Sequence, residues 1–104
     1  MMHEVPQIIL QQLGGRRFQV MTGANSFVGG ENYLSMRVPN ARHGEARVTH
    51  VRVTLDPSDT YTVEAFRCSA RAANLIKVIA SESAIYCDDL QESFTRLTGL
   101  YTHL

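Results

Sequence analysis

The sequence predicts an α+β domain, an antiparallel meander of about five strands with a short N-terminal helix and a longer C-terminal helix packed on it. Three observations carry this. Val51–Leu55 and Tyr61–Ala65 alternate in polarity on either side of Asp56-Pro57-Ser58-Asp59, which is turn chemistry. Val5, Ile9 and Leu13 recur at helical spacing and are followed by Gly14-Gly15. Cys87, Leu90, Phe94 and Leu97 form a 3-4-3 stripe ending at Gly99.

The first helix starts well, because Pro6 suits a first turn, but about two turns are marginal alone and must dock on other structure. Arg17–Thr22 follows, alternating Phe18, Val20 and Thr22 against Arg17, Gln19 and Met21, and reads as a strand. Gly23–Asn32 reads as a glycine-rich loop. Tyr33–Val38 alternates again, with Leu34, Met36 and Val38 on one side, and Pro39 closes it. The polar stretch Pro39–Ala46 reads as a mobile connection.

The hairpin from about Val48 to Cys68 has a definite register. Setting Leu55 opposite Tyr61 places Val53 against Val63 and Val51 against Ala65 on the core side. It also sets Arg52 against Glu64 and Thr54 against Thr62 outside, both favourable cross-strand pairs. A slip of one residue, pairing Val53 with Thr62, mixes the two faces. The alternation falters at Ala65-Phe66, where a bulge is expected. Asn74–Ala80 is β-branched and reads as the fifth strand. The C-terminal helix has two candidate starts, Ser81 or Ser83 capping a longer helix and Asp88 or Asp89 a shorter one. Either places Asp88 and Asp89 near the first turn, where the helix dipole favours negative charge.

With 104 residues, 44% hydrophobic and 19% charged, residues 1–104 are read as a single domain. A chain this long can bury roughly two-thirds of its unfolded surface without metal or disulfide staples. No apolar run approaches the ~20 residues that span a bilayer, and the first residues lack an export-signal pattern, so a cytoplasmic protein that does not enter membranes is expected. Cys68 and Cys87 belong to no pair motif and are expected as free thiols filling the core. Net charge is zero but uneven. From Arg16 to Lys77 nine basic residues face five acidic ones, whereas from Val78 onward one base faces four acids. Nine of the ten basic residues are arginine, whose planar fork suits carboxylate and phosphate.

Most catalytic signatures fail on inspection. Gly23–Gly30 is glycine-rich, but no lysine follows and no helix opens after it, as a phosphate-binding loop requires. His3, His43, His50 and His103 share no ligand spacing with each other or with the cysteines, and no Gly-x-Ser-x-Gly elbow occurs. Asp88 and Asp89, adjacent on a helix, diverge by about 100° and make a poor carboxylate dyad. No cofactor, metal or enzymatic activity is therefore expected.

The remaining constellation is the outer sheet face. The pairing above collects Arg17, Gln19, Tyr33, Ser35, Arg37, His50, Arg52 and Thr54 there, joined by Phe66 where the alternation holds. Arginines interleaved with aromatic side chains suit phosphate contact plus base stacking, and Arg17, Tyr33, Arg37, His50 and Arg52 are the candidate nucleic-acid-binding residues. The alternative is a solvated face, or one covered by the N-terminal helix, because the zero net charge is unlike that of most phosphate binders.

Several segments together carry a resemblance: Gln12-Leu-Gly-Gly15 leading to Phe18, Met21-Thr-Gly-Ala24 with Phe27-Val-Gly-Gly-Glu-Asn32, the hairpin strands Val51–Leu55 and Asp59–Glu64, and the ending Thr98-Gly-Leu-Tyr-Thr102 with Leu104. Across most of its length the chain resembles a family of small uncharacterised proteins of phages, prophages and other bacterial mobile elements. That family brings no activity, cofactor or assigned site. The resemblance implies an accessory protein that handles nucleic acid or binds a host or phage protein, rather than a metabolic one. Two readings stay open: a single-stranded DNA- or RNA-binding module using the sheet face, and a protein-interaction module that inhibits or recruits a host protein. The second includes a homodimer formed across a sheet edge.

Overall fold

A computed structural model describes residues 4–68 and 76–102. The order is α1 (Glu4–Leu13), α2 (Gly15–Thr22), β1 (Asn25–Gly29), β2 (Tyr33–His43), β3 (Ala46–Leu55), β4 (Tyr61–Cys68), β5 (Ile76–Ile85), a single 3-10 turn (Cys87–Asp89) and α3 (Leu90–Thr98). The five strands form one antiparallel meander in the order β1-β2-β3-β4-β5, so the expected α+β class holds.

The expected strand at Arg17–Thr22 is instead α2. Its polarity pattern fits two periods, and burial decides between them. Phe18 is wholly buried while Val20 is 75% exposed, which a strand placing both on one face cannot deliver. Gly14 and Gly15, with φ of 125° and 61°, end α1 and restart a helix at once. Gly23 closes α2 in the left-handed conformation and donates its N–H to the Gln19 carbonyl at 2.9 Å.

The first strand lies where a loop was expected, at Asn25–Gly29, so the count of five survives with a different first member. Its bulge leaves Ser26 at a φ of 54°. The stretch expected as a mobile connection, Pro39–Ala46, is mostly sheet. There β2 continues to His43 and turns through Gly44, at a φ of 62°, into β3. Pro39 is accommodated because the β2–β3 register shifts between Arg37 and Ala41, where no regular ladder bond is required of it.

The central hairpin adopts the expected register, with Val51↔Ala65, Val53↔Val63 and Leu55↔Tyr61. Its turn is closed by Asp56 N–H to the Thr60 carbonyl at 2.8 Å, and the Thr62 hydroxyl donates to the Asp56 carboxylate at 2.7 Å. The expected bulge at Ala65-Phe66 occurs on the other side of β4, in its pairing with β5. The fifth strand begins at Ile76 among the described residues and runs on to Ile85; Asn74 and Leu75 lie outside them.

Leu34, Met36, Val48, Val51, Val53, Val63 and Ala65 project from one sheet face and are buried with Ile9, Leu13, Phe18, Leu90, Phe94 and Leu97 of the helices. The Phe18 and Phe94 rings meet edge to face, with centroids 4.9 Å apart. Cys87 leaves the expected stripe, since it is exposed in the 3-10 turn, and Cys68 is only half-buried, so neither thiol fills the core. Both are free. Asp89 precedes α3 without making a side-chain cap bond. Instead α3 is tied by Gln91 Nε2 donating to the Leu13 carbonyl at 3.0 Å, and by Arg96 and Ser93 donating to Glu82 at 2.7 and 2.8 Å. All three helices contribute to the same core, so among the described residues no helix covers the opposite sheet face.

Candidate nucleic-acid interface

The helix-free face is organised in cross-strand rows fixed by the register. One row is Tyr33–Thr54–Thr62, the next Ser35–Arg52–Glu64 and the third Arg37–His50–Phe66, which β5 extends with Val78. Four of the five candidate residues, Tyr33, Arg37, His50 and Arg52, are therefore neighbours on one surface. Arg17 is not among them. It sits exposed on α2, in the helical layer, because the strand that was to carry it is a helix.

Arg52 is the centre of the arrangement. Its guanidinium carbon lies 5.2 Å from the centroid of the Tyr33 ring and 5.6 Å from that of Phe66, on the two diagonals across the sheet. A cation between two aromatic faces is held by their quadrupoles while its N–H groups stay free to donate. Glu64 stands directly opposite Arg52, yet the two form no ion pair within 4 Å; the ion pairs among the described residues are those of Arg96 with Glu82 and Glu92. The expected pairing of Arg52 opposite Glu64 is present, with the guanidinium turned to the two rings. Gly30 makes room for this aromatic clamp: a Cβ there would fall 2.0 Å from the Tyr33 ring.

The face is basic at one end. Arg37 is exposed across from His50, and further along β2 and β3 Arg42 is directly opposed to Arg47. Like charges in that position destabilise a sheet unless a counter-charge arrives. Among the described residues neither arginine has an ion-pair partner. Burial, and then the charge of Arg37, pushes the His50 imidazole below its ordinary value of 6.5. Its Nδ1 lies 2.8 Å from the Thr49 hydroxyl, which accepts the Cys68 N–H at 2.9 Å and donates to the Phe66 carbonyl at 3.4 Å.

Arg47, Thr49 and Ile76 belong to this surface and escape a reading of the sequence. Arg47 was hidden by reading 39–46 as a loop, although Val38, Ala41 and Val48 continue the buried apolar series through it. Ile76 and Val78 are 61% and 51% exposed on β5. A β-branched run signals a strand there but not which side is left bare. Among the described residues no three of His, Cys, Asp and Glu gather to hold a metal ion. Comparison with protein-family models, with curated proteins and with solved structures finds no match to the chain.

Proposed function

We propose that the chain is a non-enzymatic accessory protein of phage or mobile-element type that binds single-stranded DNA or RNA on its helix-free sheet face, in the cytoplasm. The observation that carries this is the Arg52 guanidinium held between Tyr33 and Phe66, with Arg37 and Arg47 on the same face. Such a surface offers phosphate oxygens a forked donor and offers bases aromatic planes, which is how sheet surfaces recognise unpaired strands. The helices leave the face clear, and no helix of the described residues is long and apolar enough to cross a membrane.

The test is titration of a fluorescent single-stranded oligonucleotide at two salt concentrations. Three phosphate contacts predict that affinity falls roughly 20-fold between about 50 and about 200 mM salt. Binding that ignores salt, or that survives Arg37→Ala and Arg52→Ala unchanged, overturns the proposal.

A second reading is favoured by Ile76 and Val78, exposed apolar residues on edge strand β5. It makes the chain a protein-interaction module whose partner, a host or phage protein or a second copy of itself, pairs with that edge. Val78→Ser, on the same edge but outside the arginine rows, then disrupts association while leaving oligonucleotide binding untouched, the reverse of what the arginine substitutions do.

A further inference from the structure

On the basic side of the sheet two ladder irregularities meet. The β3–β4 ladder stops at the row His50↔Phe66, whereas β2–β3 pairing runs on to His43↔Ala46 and β4–β5 pairing to Cys68↔Ile76. Just there β2 sets three residues, Val38 to Asn40, against the single Thr49 of β3. Two register breaks at one point leave the hairpin arms without a ladder between them, and the Thr49 hydroxyl takes its place by receiving the Cys68 N–H. The surface is hollowed as a result. One hollow of about 200 Å³ is lined by Ser35, His50, Arg52, Phe66, Cys68 and Ile76. A second of about 270 Å³ is lined by Arg37, Pro39, Arg47, Thr49, His50 and Cys68. They share His50 and Cys68, so they form one trough with two chemically different ends.

We infer that this trough is a mononucleotide subsite, with the base lying against Phe66 and Ile76 beside the Arg52 guanidinium and the phosphate lying against Arg37, Arg47 and the Thr49–His50 pair. The inference rests on the strand-binding reading of the same face and names the unit of the strand that the face grips. Both ends are needed to choose the ligand class. An inorganic anion uses the arginines and leaves the apolar end empty. An apolar side chain of a protein uses Phe66 and Ile76 and leaves two permanent cations without counter-charge. A nucleotide carries a planar apolar group and an anion joined at short range. Together the hollows fall in the lower part of the roughly 300–1,000 Å³ range of small-ligand sites. Among the described residues no carboxylate lines either hollow; Glu64 lies in the Arg52 row outside them.

The experiment compares adenosine 5′-monophosphate, adenosine and inorganic phosphate on the full chain, following backbone amide shifts by NMR, beside the oligonucleotide titration. The expected result is that the monophosphate moves the amides of Thr49, His50, Phe66 and Cys68 and binds at least tenfold tighter than either half-molecule. Arg47→Ala, at an exposed position, reduces it to the level of adenosine, and Ile76→Ser to the level of phosphate. A monophosphate no tighter than phosphate, or shifts confined to another part of the chain, overturns the subsite. If the oligonucleotide binds while the monophosphate does not, the subsite fails and the strand-binding reading stands. If the monophosphate binds the trough and the oligonucleotide does not, the subsite stands as a free-nucleotide site and the strand-binding reading fails.

Discussion

Arg52 stands directly across the β3–β4 ladder from Glu64 without pairing with it, because its guanidinium is held between Tyr33 and Phe66. An exposed ion pair is worth only about 0.2–1 kcal/mol, and each cation–π contact contributes a comparable amount, so two rings outbid one carboxylate. The acid still repels an approaching phosphate. Glu64→Gln is therefore expected to tighten oligonucleotide binding several-fold with little change in stability. Arg52→Ala is expected to weaken it and reduce the salt slope by roughly 0.7, the share of one phosphate contact on a single strand. Arg52→Lys should not restore affinity, since an ammonium lacks the flat faces that both rings hold. Titrations at several salt concentrations read all three.

Gly30 controls the clamp from outside it. A Cβ at this position would lie 2.0 Å from the Tyr33 ring, so Gly30→Ala must swing the ring away from Arg52. Gly30 lies in the short connection between β1 and β2, donating its N–H to the Tyr33 carbonyl at 3.0 Å. The variant is expected to fold, with a loss of no more than about 1 kcal/mol on the scale of surface substitutions. It should match Tyr33→Ala in oligonucleotide affinity. A Gly30→Ala protein that binds as the parent does shows that the Tyr33 ring is not part of the interface.

The opposed pair Arg42 and Arg47 separates stability from binding. Replacing one of two facing like charges by an acid converts repulsion to attraction, worth about 0.2–1 kcal/mol across a sheet. Arg42→Glu is thus expected to raise the urea midpoint while lowering affinity for single strands. The two measurements move in opposite senses only if the arginines are kept for an anionic partner. A variant that is less stable as well as weaker binding points to a structural role.

How much of this was legible in the sequence depends on where side-chain period and backbone period coincide. Val51, Val53 and Leu55 against Tyr61, Val63 and Ala65 admit one register, and that register was readable because a slip exchanges the two faces. It placed Arg52, His50, Arg37 and Tyr33 together correctly. Arg17–Thr22 is ambiguous in sequence because six residues fit a period of 2 as well as 3.6, and only the docking of Phe18 on Phe94 decides that Val20 faces outward. Asn25–Gly29 was lost for the opposite reason. Glycine lowers strand propensity, yet β2 supplies a ladder that overrides it. The trough was not legible at all, since it arises where two ladders shift at one level, and no local pattern encodes a coincidence between β2 and β4.

The Glu82–Arg96 bridge gives the acid limb of stability a definite sign. Hydrogen bonding from Arg96, chiefly, holds the Glu82 carboxyl below its usual 4.5, against a smaller opposing effect of burial. A carboxylate whose folded value is depressed contributes fully above its unfolded value, and that contribution is lost as pH falls through the lower folded value. Arg96 is half exposed, so the contribution is about 1 kcal/mol or less. Glu82→Gln is expected to lower the urea midpoint near neutral pH and to shrink its difference from the parent once the pH is well below 4.5. Equal differences at both pH values show that the charge on Glu82 is not what ties α3 to β5.

His50 has the opposite consequence for binding. Its folded value lies below 6.5, so the neutral ring is the form the fold prefers; stability from this group is present above 6.5 and declines as pH falls through the lower value. The groups around it are Arg37 from β2, Arg47, Thr49 and Arg52 from β3, Phe66 and Cys68 from β4 and Ile76 from β5, none of them an acid. A bound phosphate would be the first negative charge beside the ring, and would raise its value relative to the free protein. Binding of a single-stranded oligonucleotide, whose phosphodiesters keep their charge in this range, then takes up a proton, so its affinity is expected to rise as pH falls from about 7.5 to about 5.5 while the stability of the unliganded protein drifts down. His50→Gln should bind with nearly flat pH dependence, because it keeps a polar side chain at the site and removes the titration. An affinity that falls on acidification in the parent, or a slope that persists in His50→Gln, places the phosphate away from His50 and returns Arg52 and its two rings to being the whole of the interface.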